Sequence, residues 1–486
     1  MIYKLRPYQE ECVKSISDYI NSDRHDPVLI VGPVGCGKSL LIAEAARLMG
    51  DKTLILQPSK ELLQQNHDKI TSYGIPATIY SASCGKKELS NMIYATLGSI
   101  KKVVDKLKEM GIRNVLIDEA HAGYSPEDGS EFMTFMNELK PKKVIGVTAT
   151  PCRLKTMSIG QVSYSQLNFI TRMRPVYFKN LIHVIQVEEM IRQGFWTPLK
   201  YETWDFNGDA LKLNSNGSEY TAESISEAVR KNGLNNLILR RLMVLKDVCR
   251  SILVFMDSVE SCNTAAEWMN AKICAGMAEV VHGGTPKKQR EAIVEGFKSG
   301  KTKVVFNYSA LGTGFDHPGL DCVIVGRPTF SFSSFYQWLG RAVRIKDGKD
   351  SALVVDCCNN SSRFGDIRKL SIENYKGYGW GMFIGDKLIT NIPMGDKVTK
   401  TDLDIKAAKK DRRRGLAQGV TAAPVPGRPD HPLGSTVMTF GRYCGWMLHS
   451  IPVSYFKFIN ETFDWDNDRN KDIKEYIDFL IKNNRL

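Results

Sequence analysis

The chain has 486 residues and a formal net charge of +13, from 66 Lys and Arg against 53 Asp and Glu. Its 43% hydrophobic content suffices for several packed cores, whereas no apolar run approaches the ~20 residues of a membrane-spanning helix. The first residues, MIYKLRPYQEEC, lack the apolar core of a signal peptide. We therefore expect a non-membrane protein that resides in a cytoplasm, its own or a host cell's.

The net charge leaves two interpretations open. Solvated lysine-rich surfaces are common, but a polyanionic partner is equally compatible, because each phosphate that Lys or Arg neutralises releases counterions. The eleven cysteines are scattered and form no CxxC pair. No zinc site is therefore expected, and the thiols are interpreted as buried and reduced.

Two regions of the chain alternate short β-rich runs with helical stretches, the pattern of βαβ units and a parallel sheet. The predicted buried strands are 28–31, 53–56, 114–118 and 143–148 in the first region, and 251–257, 303–307, 322–325 and 352–356 in the second. We predict a first lobe over 1–155, a mostly helical connection over 156–245, a second lobe over 246–370, a charged linker over 371–435, and a small mostly helical module over 436–486.

The first motif is GPVGCGKS, which follows the strand 28–31 and opens a helical stretch. This strand–loop–helix context is the one that a phosphate-binding loop requires. Its glycines let backbone N–H groups wrap phosphates, and the helix N-terminus adds positive potential. Lys38 would reach the β- and γ-phosphates, and Ser39 would ligate Mg²⁺. The loop residues predicted to bind ATP are Gly32, Pro33, Val34, Gly35, Cys36, Gly37, Lys38 and Ser39.

The second motif, DEAH, ends the strand 114–118. Asp118 would hold Mg²⁺, directly or through water, and Glu119 would polarise the attacking water. An acidic pair after a strand is otherwise a helix-start cap, but the neighbouring phosphate loop favours the catalytic interpretation.

The third motif, QWLGRAVR at 337–344, is predicted to be helical and carries Arg341 and Arg344 three residues apart. A guanidinium fork suits the charge that develops on a transferred phosphoryl group. A solvated helix face is the alternative, and Gln337 at its fixed offset argues against it. Because this motif lies in the second lobe, the arginines would meet the nucleotide only when the lobes close.

Together the ordered motifs resemble those of superfamily 2 DEAH-type helicases and translocases. That resemblance implies an α/β fold with two tandem RecA-like lobes and ATP hydrolysis with Mg²⁺. LRPYQ at 5–9 resembles the adenine-reading segment, with Arg6 and Gln9 at the base. SALGTGFDHP at 309–318 resembles motif V, which adds Gly314 and Asp316 to the ATP site. His121, Thr148 and Thr150 match the positions that couple the ATP site to the nucleic-acid track, with His121 expected to reach Gln337.

Within the superfamily the chain most resembles bacterial RadD-type repair helicases and their phage relatives, on LRPYQ, VTATPCRL, EEMIRQGFWTP and YQWLGRAVR. The segment 438–459 resembles a small domain at the end of exodeoxyribonuclease X-type proteins. These resemblances imply action on single-stranded, forked or branched DNA in replication, recombination or repair, and a possible protein partner at the C-terminal module. The residues predicted to hold phosphates of the track are Ser59, Ser99, Ser258 and Thr313.

Three alternatives remain open from the sequence. A duplex translocase could move on DNA without separating strands, an RNA helicase could carry the same DEAH motif, and an ATP-gated scaffold could use its C-terminal module to recruit partners.

Overall fold

The computed structural model describes residues 4–50, 52–124, 126–127, 129–159, 162–311, 315–376, 378–394, 396–407, 431–439, 443, 446–451, 453–462, 465 and 470–483. The chain forms two compact units. The larger comprises Met1–Tyr375 with Gly379–Val398, and the smaller comprises Lys376–Tyr378 with Thr399–Leu486.

The strands, in chain order, are β1 (Val28–Val31), β2 (Thr53–Leu56), β3 (Thr78–Ser81), β4 (Lys86–Lys87), β5 (Met92–Ala95), β6 (Asn114–Asp118), β7 (Lys143–Thr148), β8 (Cys152–Ile159), β9 (Val162–Phe169), β10 (Asn180–Val184), β11 (Leu199–Thr203), β12 (Ile252–Phe255), β13 (Ala278–His282), β14 (Val304–Tyr308), β15 (Cys322–Val325), β16 (Ala352–Asp356), β17 (Leu370–Tyr375), β18 (Gly379–Ile384), β19 (Lys387–Leu388) and β20 (Val398–Thr399).

The helices are α1 (Pro7–Asn21), α2 (Lys38–Met49), α3 (Lys60–Ser72), α4 (Leu97–Ile100), α5 (Val104–Glu109), α6 (Glu131–Leu139), α7 (Val187–Arg192), α8 (Ala222–Lys231), α9 (Leu234–Val248), α10 (Val259–Lys272), α11 (Lys287–Ser299), α12 (Phe332–Leu339), α13 (Asn360–Phe364), α14 (400–407), α15 (Val453–Thr462) and α16 (Lys471–Lys482).

The first lobe is built on an eight-stranded sheet in the order β10-β1-β7-β6-β2-β5-β3-β4, parallel except for β4. Its central strands are fully buried apolar runs, as helices on both faces of a parallel sheet require. Strands β1 and β6 flank β7 on either side. Because parallel strands share one carboxyl edge, the loop after β1 and the residues that end β6 lie close together.

The second lobe is built on a six-stranded parallel sheet in the order β11-β16-β15-β12-β14-β13. The predicted strands of both lobes are therefore confirmed, several of them to the residue. Helix α12, which begins the arginine motif, follows β15. The predicted fold class, two tandem parallel α/β lobes, is correct.

The prediction of a mostly helical connection over 156–245 is wrong in its first half. Strands β8 and β9 form an antiparallel hairpin directly after the TATP motif, paired from Cys152↔Phe169 to Ile159↔Val162. Strand β10 then returns to the first sheet beside β1, and β11 enters the second sheet beside β16. The Thr-, Ser- and Tyr-rich composition of the hairpin favours strands. The helices α7, α8 and α9 match the helical expectation.

The prediction of an extended linker over 371–435 is wrong for its first part. Strands β17 and β18 pair antiparallel from Leu370↔Ile384 to Tyr375↔Gly379, and β19 extends the sheet. The short strands and the turn at 385–386 explain the lost periodicity that suggested a linker. Residues 408–430, which include the basic run and the Pro/Gly-rich stretch, lie outside the described residues.

The smaller unit has its own apolar core. Helices α15 and α16 bury Phe456, Ile459, Ile473, Tyr476 and Ile477 against one another.

Among the described residues, every helix is too short or too polar to cross a bilayer.

Candidate active site

The loop between β1 and α2 forms a turn whose backbone faces inward. Gly35 and Gly37 have φ of +84° and +86°, a conformation that L side chains rarely adopt. Gly37 forms the left-handed N-cap of α2, which begins at Lys38. The loop is held from behind, where the N–H of Gly32 donates to the carbonyl of Thr148 at 3.0 Å. The glycine positions in the motif are thus dictated by backbone geometry.

Lys38 and the DEAH acids meet at the floor of the site. The Lys38 ammonium lies 3.6 Å from the Glu119 Oε1 atom. Asp118 is buried, and one of its oxygens accepts the backbone N–H of Glu119 at 2.8 Å. Glu119 has a positive φ of 46°, which turns the chain sharply as β6 ends. Because of this turn, the carboxylates of Asp118 and Glu119 point in different directions at the end of β6.

The protonation of the acidic pair is uneven. Burial and the adjacent Glu119 charge raise the pKa of Asp118 to about 7, although Lys38 acts against the rise. Burial is the largest influence and acts to raise the pKa of Glu119, but Lys38, His121 and Arg341 together outweigh it, so the net shift is downward. Glu119 is therefore the ionised partner at neutral pH, and a cation near Asp118 would be needed to ionise both fully.

Asp118 is also held by Asn66 of helix α3. The Asn66 amide donates to Asp118 Oδ2 at 2.9 Å and to Gln57 Oε1 at 3.1 Å. Asn66 was missed by sequence reasoning, because a helical Asn carries no motif. The only sequence signal is a polar side chain on the apolar stripe that contains Leu63 and Ile70.

His121 connects the DEAH motif to both the TATP motif and the second lobe. Its Nδ1 lies 2.7 Å from Thr148 Oγ1 and its Nε2 lies 3.3 Å from Ser333 Oγ. Ser333 Oγ is also 3.1 Å from Thr150 Oγ1. Burial lowers the pKa of His121, so the ring is neutral at neutral pH. Among the hydrogen bonds of the described residues, the second-lobe partner is Ser333, in place of the expected Gln337.

The arginine motif departs from its predicted conformation. Helix α12 ends at Leu339, so Arg341 and Arg344 follow its C-terminus as an irregular turn. The Arg341 Nη1 group donates to the carbonyl of Phe315 at 2.7 Å, and Arg344 forms an ion pair with Asp316. Burial lowers the pKa of each arginine to about 10, which leaves both charged at neutral pH.

The lobes are in direct contact beside these arginines. A Cβ added to Gly340 would lie 2.6 Å from the Cβ of Val34. A Cβ added to Gly35 would lie 3.1 Å from Cγ2 of Val343. The backbone of each of these segments therefore packs against a valine side chain of the other. Arg341 is close enough to Glu119 for its charge to lower the pKa of that carboxyl.

A third part of the site surrounds the start of α1. Gln9 Nε2 and the Tyr8 hydroxyl both donate to the carbonyl of Cys36, at 2.9 and 3.1 Å. The Arg6 guanidinium lies 4.7 Å from the centre of the Phe195 ring. Phe195, which sequence reasoning did not assign, adds an aromatic wall where a base could stack.

These parts enclose one cleft of about 490 Å³ between the lobes. Its wall includes most of the residues predicted to bind ATP or act on it: Arg6, Gln9, Val34, Gly35, Gly37, Lys38, Ser39, Asp118, Glu119, Asp316, Gln337, Arg341 and Arg344. Ser39 and Asp118 supply hard oxygen ligands of the kind that Mg²⁺ prefers. Asp118 is buried beside Glu119, and Lys38 only partly compensates the charge of its ionised form, so the residues fit a magnesium ion.

The predicted phosphate-contacting serines lie at well-defined points of the fold. Ser59 and Ser258 are N-caps of α3 and α10, and their hydroxyls accept the backbone N–H groups of Leu62 and Ser261. Ser99 accepts the N–H of Ala82 at 3.0 Å. Each serine thus has a structural hydrogen bond irrespective of any ligand. Thr313 and Gly314 lie outside the described residues.

Two RecA-like lobes with a phosphate loop, a DEAH acid pair and facing arginines define the ATP-hydrolysing motor class of superfamily 2. Comparison with known proteins agrees. Residues 2–153 match the family model for the type III restriction enzyme res subunit, and residues 235–346 match the helicase conserved C-terminal domain. The chain therefore carries the two domains that superfamily 2 helicases combine.

Individual relatives are distant. A 51.5 kDa protein of Lactococcus phage (isolate 7-9) is 24% identical over 68% of this chain and 65% of its own length. The ATP-dependent DNA helicase Hel308 of Pyrococcus horikoshii is 25% identical over 69% of this chain and 49% of its own. The alignments thus span less than two thirds of these relatives.

Among solved structures, a fragment of an HsdR subunit of a type I restriction enzyme from Vibrio vulnificus superposes with a TM-score of 0.54 at 17% identity. It covers 75% of this chain and 66% of that one. At this identity the likeness supports the fold alone.

Proposed function

We propose that the chain is an ATP-dependent DNA helicase or translocase, which couples ATP hydrolysis to movement on DNA or to its remodelling. The observation that carries this proposal is the convergence of Lys38 and Glu119 from one lobe with the buried Arg341 of the other in a single cleft. A charge arrangement of this kind is suited to a γ-phosphate held between the lobes.

In the proposed cycle, backbone N–H groups of the loop beyond Pro33 cradle the phosphates, and Lys38 leaves its contact with Glu119 to bind the β- and γ-phosphates. Glu119, freed from that contact, orients the attacking water as an ionised carboxylate. Arg341 and Arg344 stabilise the charge that develops on the transferred group. Ser39 and Asp118 would hold Mg²⁺, which would supply positive charge to offset that of the phosphates.

The proposed coupling runs through His121. Its ring joins the DEAH acids to Thr148 and, through Ser333, to the first turn of α12 in the second lobe. Arg341 follows the C-terminal end of the same helix. Loss of the γ-phosphate would remove the contact that holds Arg341 in the cleft. The neutral ring can donate from one nitrogen and accept at the other, so it can serve both neighbours at once.

Several features support DNA as the track. The chain carries a net charge of +13, and polyanion binding rests largely on such charge. The N-termini of α3 and α10, with Ser59 and Ser258, are suited to hold phosphates. Ser99 and Thr313 remain candidates from their sequence motifs. The names of relatives such as the Pyrococcus enzyme favour DNA. We extend the proposal to single-stranded, forked or branched DNA in replication, recombination or repair, in the manner of RadD-type helicases, with the smaller unit as a docking module for a protein partner.

A second candidate is a duplex translocase that moves without separating strands. The match of residues 2–153 to the res subunit of restriction enzymes favours it. Release of a labelled strand from forked DNA measures strand separation. Displacement of a third strand from a DNA triplex measures movement along the duplex without strand separation.

The decisive experiment is steady-state ATP hydrolysis by wild type and Lys38→Ala with no nucleic acid, single-stranded DNA, forked DNA or RNA. Stimulation by DNA that disappears in the variant supports the proposal. Selective stimulation by RNA would make the chain an RNA helicase. Wild-type activity no greater than that of Lys38→Ala on every substrate would contradict the proposal.

A further inference from the structure

The segment that crosses between the lobes has contacts to both halves of the ATP site. Phe195, Trp196 and Thr197 lie between α7 and β11, the first strand of the second sheet. Trp196 and Thr197 are 1% and 2% exposed. Such burial is unusual for a connection, since linkers between lobes normally run over the surface.

Trp196 is bonded to the phosphate loop. Its indole N–H donates to the carbonyl of Val34 at 2.9 Å. The indole also lies beside Gly35, since a Cβ added to that glycine would be 3.5 Å from the Nε1 atom. Any change in the loop when phosphate enters must therefore move the indole or break this bond.

Thr197 is bonded to the arginine motif. Its backbone N–H donates to the carbonyl of Val343 at 2.7 Å, and its hydroxyl donates to the carbonyl of Arg344 at 2.8 Å. The segment 340–344 follows the end of α12, and backbone turn bonds from Gly340, Arg341 and Ala342 tie its first part to that helix. The Lys349 ammonium adds support, with bonds to the carbonyls of Ala342 and Arg344.

Trp196 and Thr197 are adjacent in the sequence. A single peptide bond therefore connects the residue that contacts the phosphate loop with the residue that contacts the arginine motif. The carbonyl of Val34 is on the loop that would wrap the phosphates, and the carbonyl of Arg344 belongs to a residue that lines the same cleft. The neighbouring Phe195 lies under Arg6 at the base end of the cleft. The crossing segment therefore contacts the nucleotide site along its whole length.

We propose that Trp196 and Thr197 are positioning residues that set the arginine motif according to the state of the phosphate loop. Trp196 reports the loop conformation, and Thr197 holds the backbone that carries Arg341 and Arg344. The inference rests on the proposed function, since it assigns a role in ATP hydrolysis to residues that do not touch the nucleotide.

The test uses paired substitutions in the full chain. Thr197→Val removes the hydroxyl bond at nearly constant shape, and Thr197→Ser restores it. Trp196→Phe removes the indole N–H but keeps an aromatic ring, and Trp268→Phe, at a half-exposed surface tryptophan of α10, is its matched control. The readouts are kcat and KM for ATP, and the affinity for a fluorescent ADP analogue.

The proposal predicts a split between the two sites. Thr197→Val should lower kcat about three- to ten-fold, the value of one hydrogen bond, with ADP affinity within two-fold and with recovery in Thr197→Ser. Trp196→Phe should weaken ADP affinity by a similar factor, while Trp268→Phe leaves it unchanged. Normal kcat in Thr197→Val together with normal affinity in Trp196→Phe would overturn the inference. An equal fall in both quantities that Thr197→Ser does not restore would also overturn it, as a merely structural effect.

Failure of the proposed function has a different signature. In that case wild type would show no hydrolysis above Lys38→Ala, whereas the ADP affinities would still test the Trp196 contact.

Discussion

The Nε2 atom of His121 lies 3.3 Å from the hydroxyl of Ser333, which joins the DEAH motif of the first lobe to the first turn of α12 in the second. Ser333 also contacts Thr150 of the TATP motif at 3.1 Å. One hydroxyl therefore serves two motifs of the opposite lobe. Opening of the cleft would break both contacts together, so this serine responds to whether the lobes are closed.

Removal of this hydroxyl should weaken the coupling between the lobes. Ser333→Ala is expected to lower nucleic-acid-stimulated kcat about three- to ten-fold, because the net value of a hydrogen bond is about 0.5–1.5 kcal/mol. Steady-state hydrolysis with and without DNA measures the effect. Ser334→Ala, one residue along the same helix, is the matched control, and equal behaviour of the two variants would argue against the assigned coupling.

Glu119→Gln should reduce kcat about a hundred-fold or more, since an amide cannot act as the base that orients water. Nucleotide should still bind, because the phosphate loop is unchanged. Single-turnover hydrolysis and binding of a fluorescent ATP analogue separate these effects. A folded variant with normal hydrolysis would remove Glu119 from the mechanism.

Gly340→Ala should hinder closure of the cleft, because its Cβ would lie 2.6 Å from both Cβ and Cγ2 of Val34. Overpacking of this kind costs about 1–3 kcal/mol, so kcat should fall while each lobe keeps its own stability. The added substitution Val34→Gly should recover part of the loss. Gly283→Ala, where the new Cβ would have no atom within 4 Å, should behave as wild type in the same hydrolysis assay.

Arg153 should stabilise the backbone that follows the DEAH motif. Its guanidinium donates to the carbonyls of His121 at 2.6 Å and Tyr124 at 2.5 Å. A lysine has no fork to span both acceptors. Arg153→Lys should therefore lower the free energy of unfolding by about 1–3 kcal/mol and reduce kcat as well.

Chemical denaturation and steady-state hydrolysis measure these two effects. Lys155→Ala, at an exposed position of the same strand, is the control. If both variants unfold at the same denaturant concentration, Arg153 contributes no more to the free energy of unfolding than the exposed Lys155 does.

The sequence was sufficient to predict the features that depend on the order of residues within a short segment. The strand VLIV, the loop GPVGCGKS and the strand NVLID carry their conformations in their own composition, and the sheet then brings their ends together. The cleft residues Lys38, Glu119 and Arg341 could be predicted because their motifs keep a fixed sequence order.

What could not be predicted depends on non-local pairing. Strand β10 joins the first sheet because the edge of β1 is available for pairing. No pattern in the local sequence predicts which strand it pairs with. Trp196 and Ser333 have roles only through contacts with distant segments. The end of α12 before Arg341 was also missed, since its composition permits another helical turn and packing against Val34 decides otherwise.

The position of β10 beside β1 has a practical consequence for dissecting the protein. A fragment cut at residue 155 would leave β1, the strand that leads into the phosphate loop, as an unprotected sheet edge. Exposed apolar edge strands recruit other chains and aggregate, so such a fragment should be insoluble. A fragment that continues through α7, to Arg192, would keep the edge covered and is the shorter piece worth expressing.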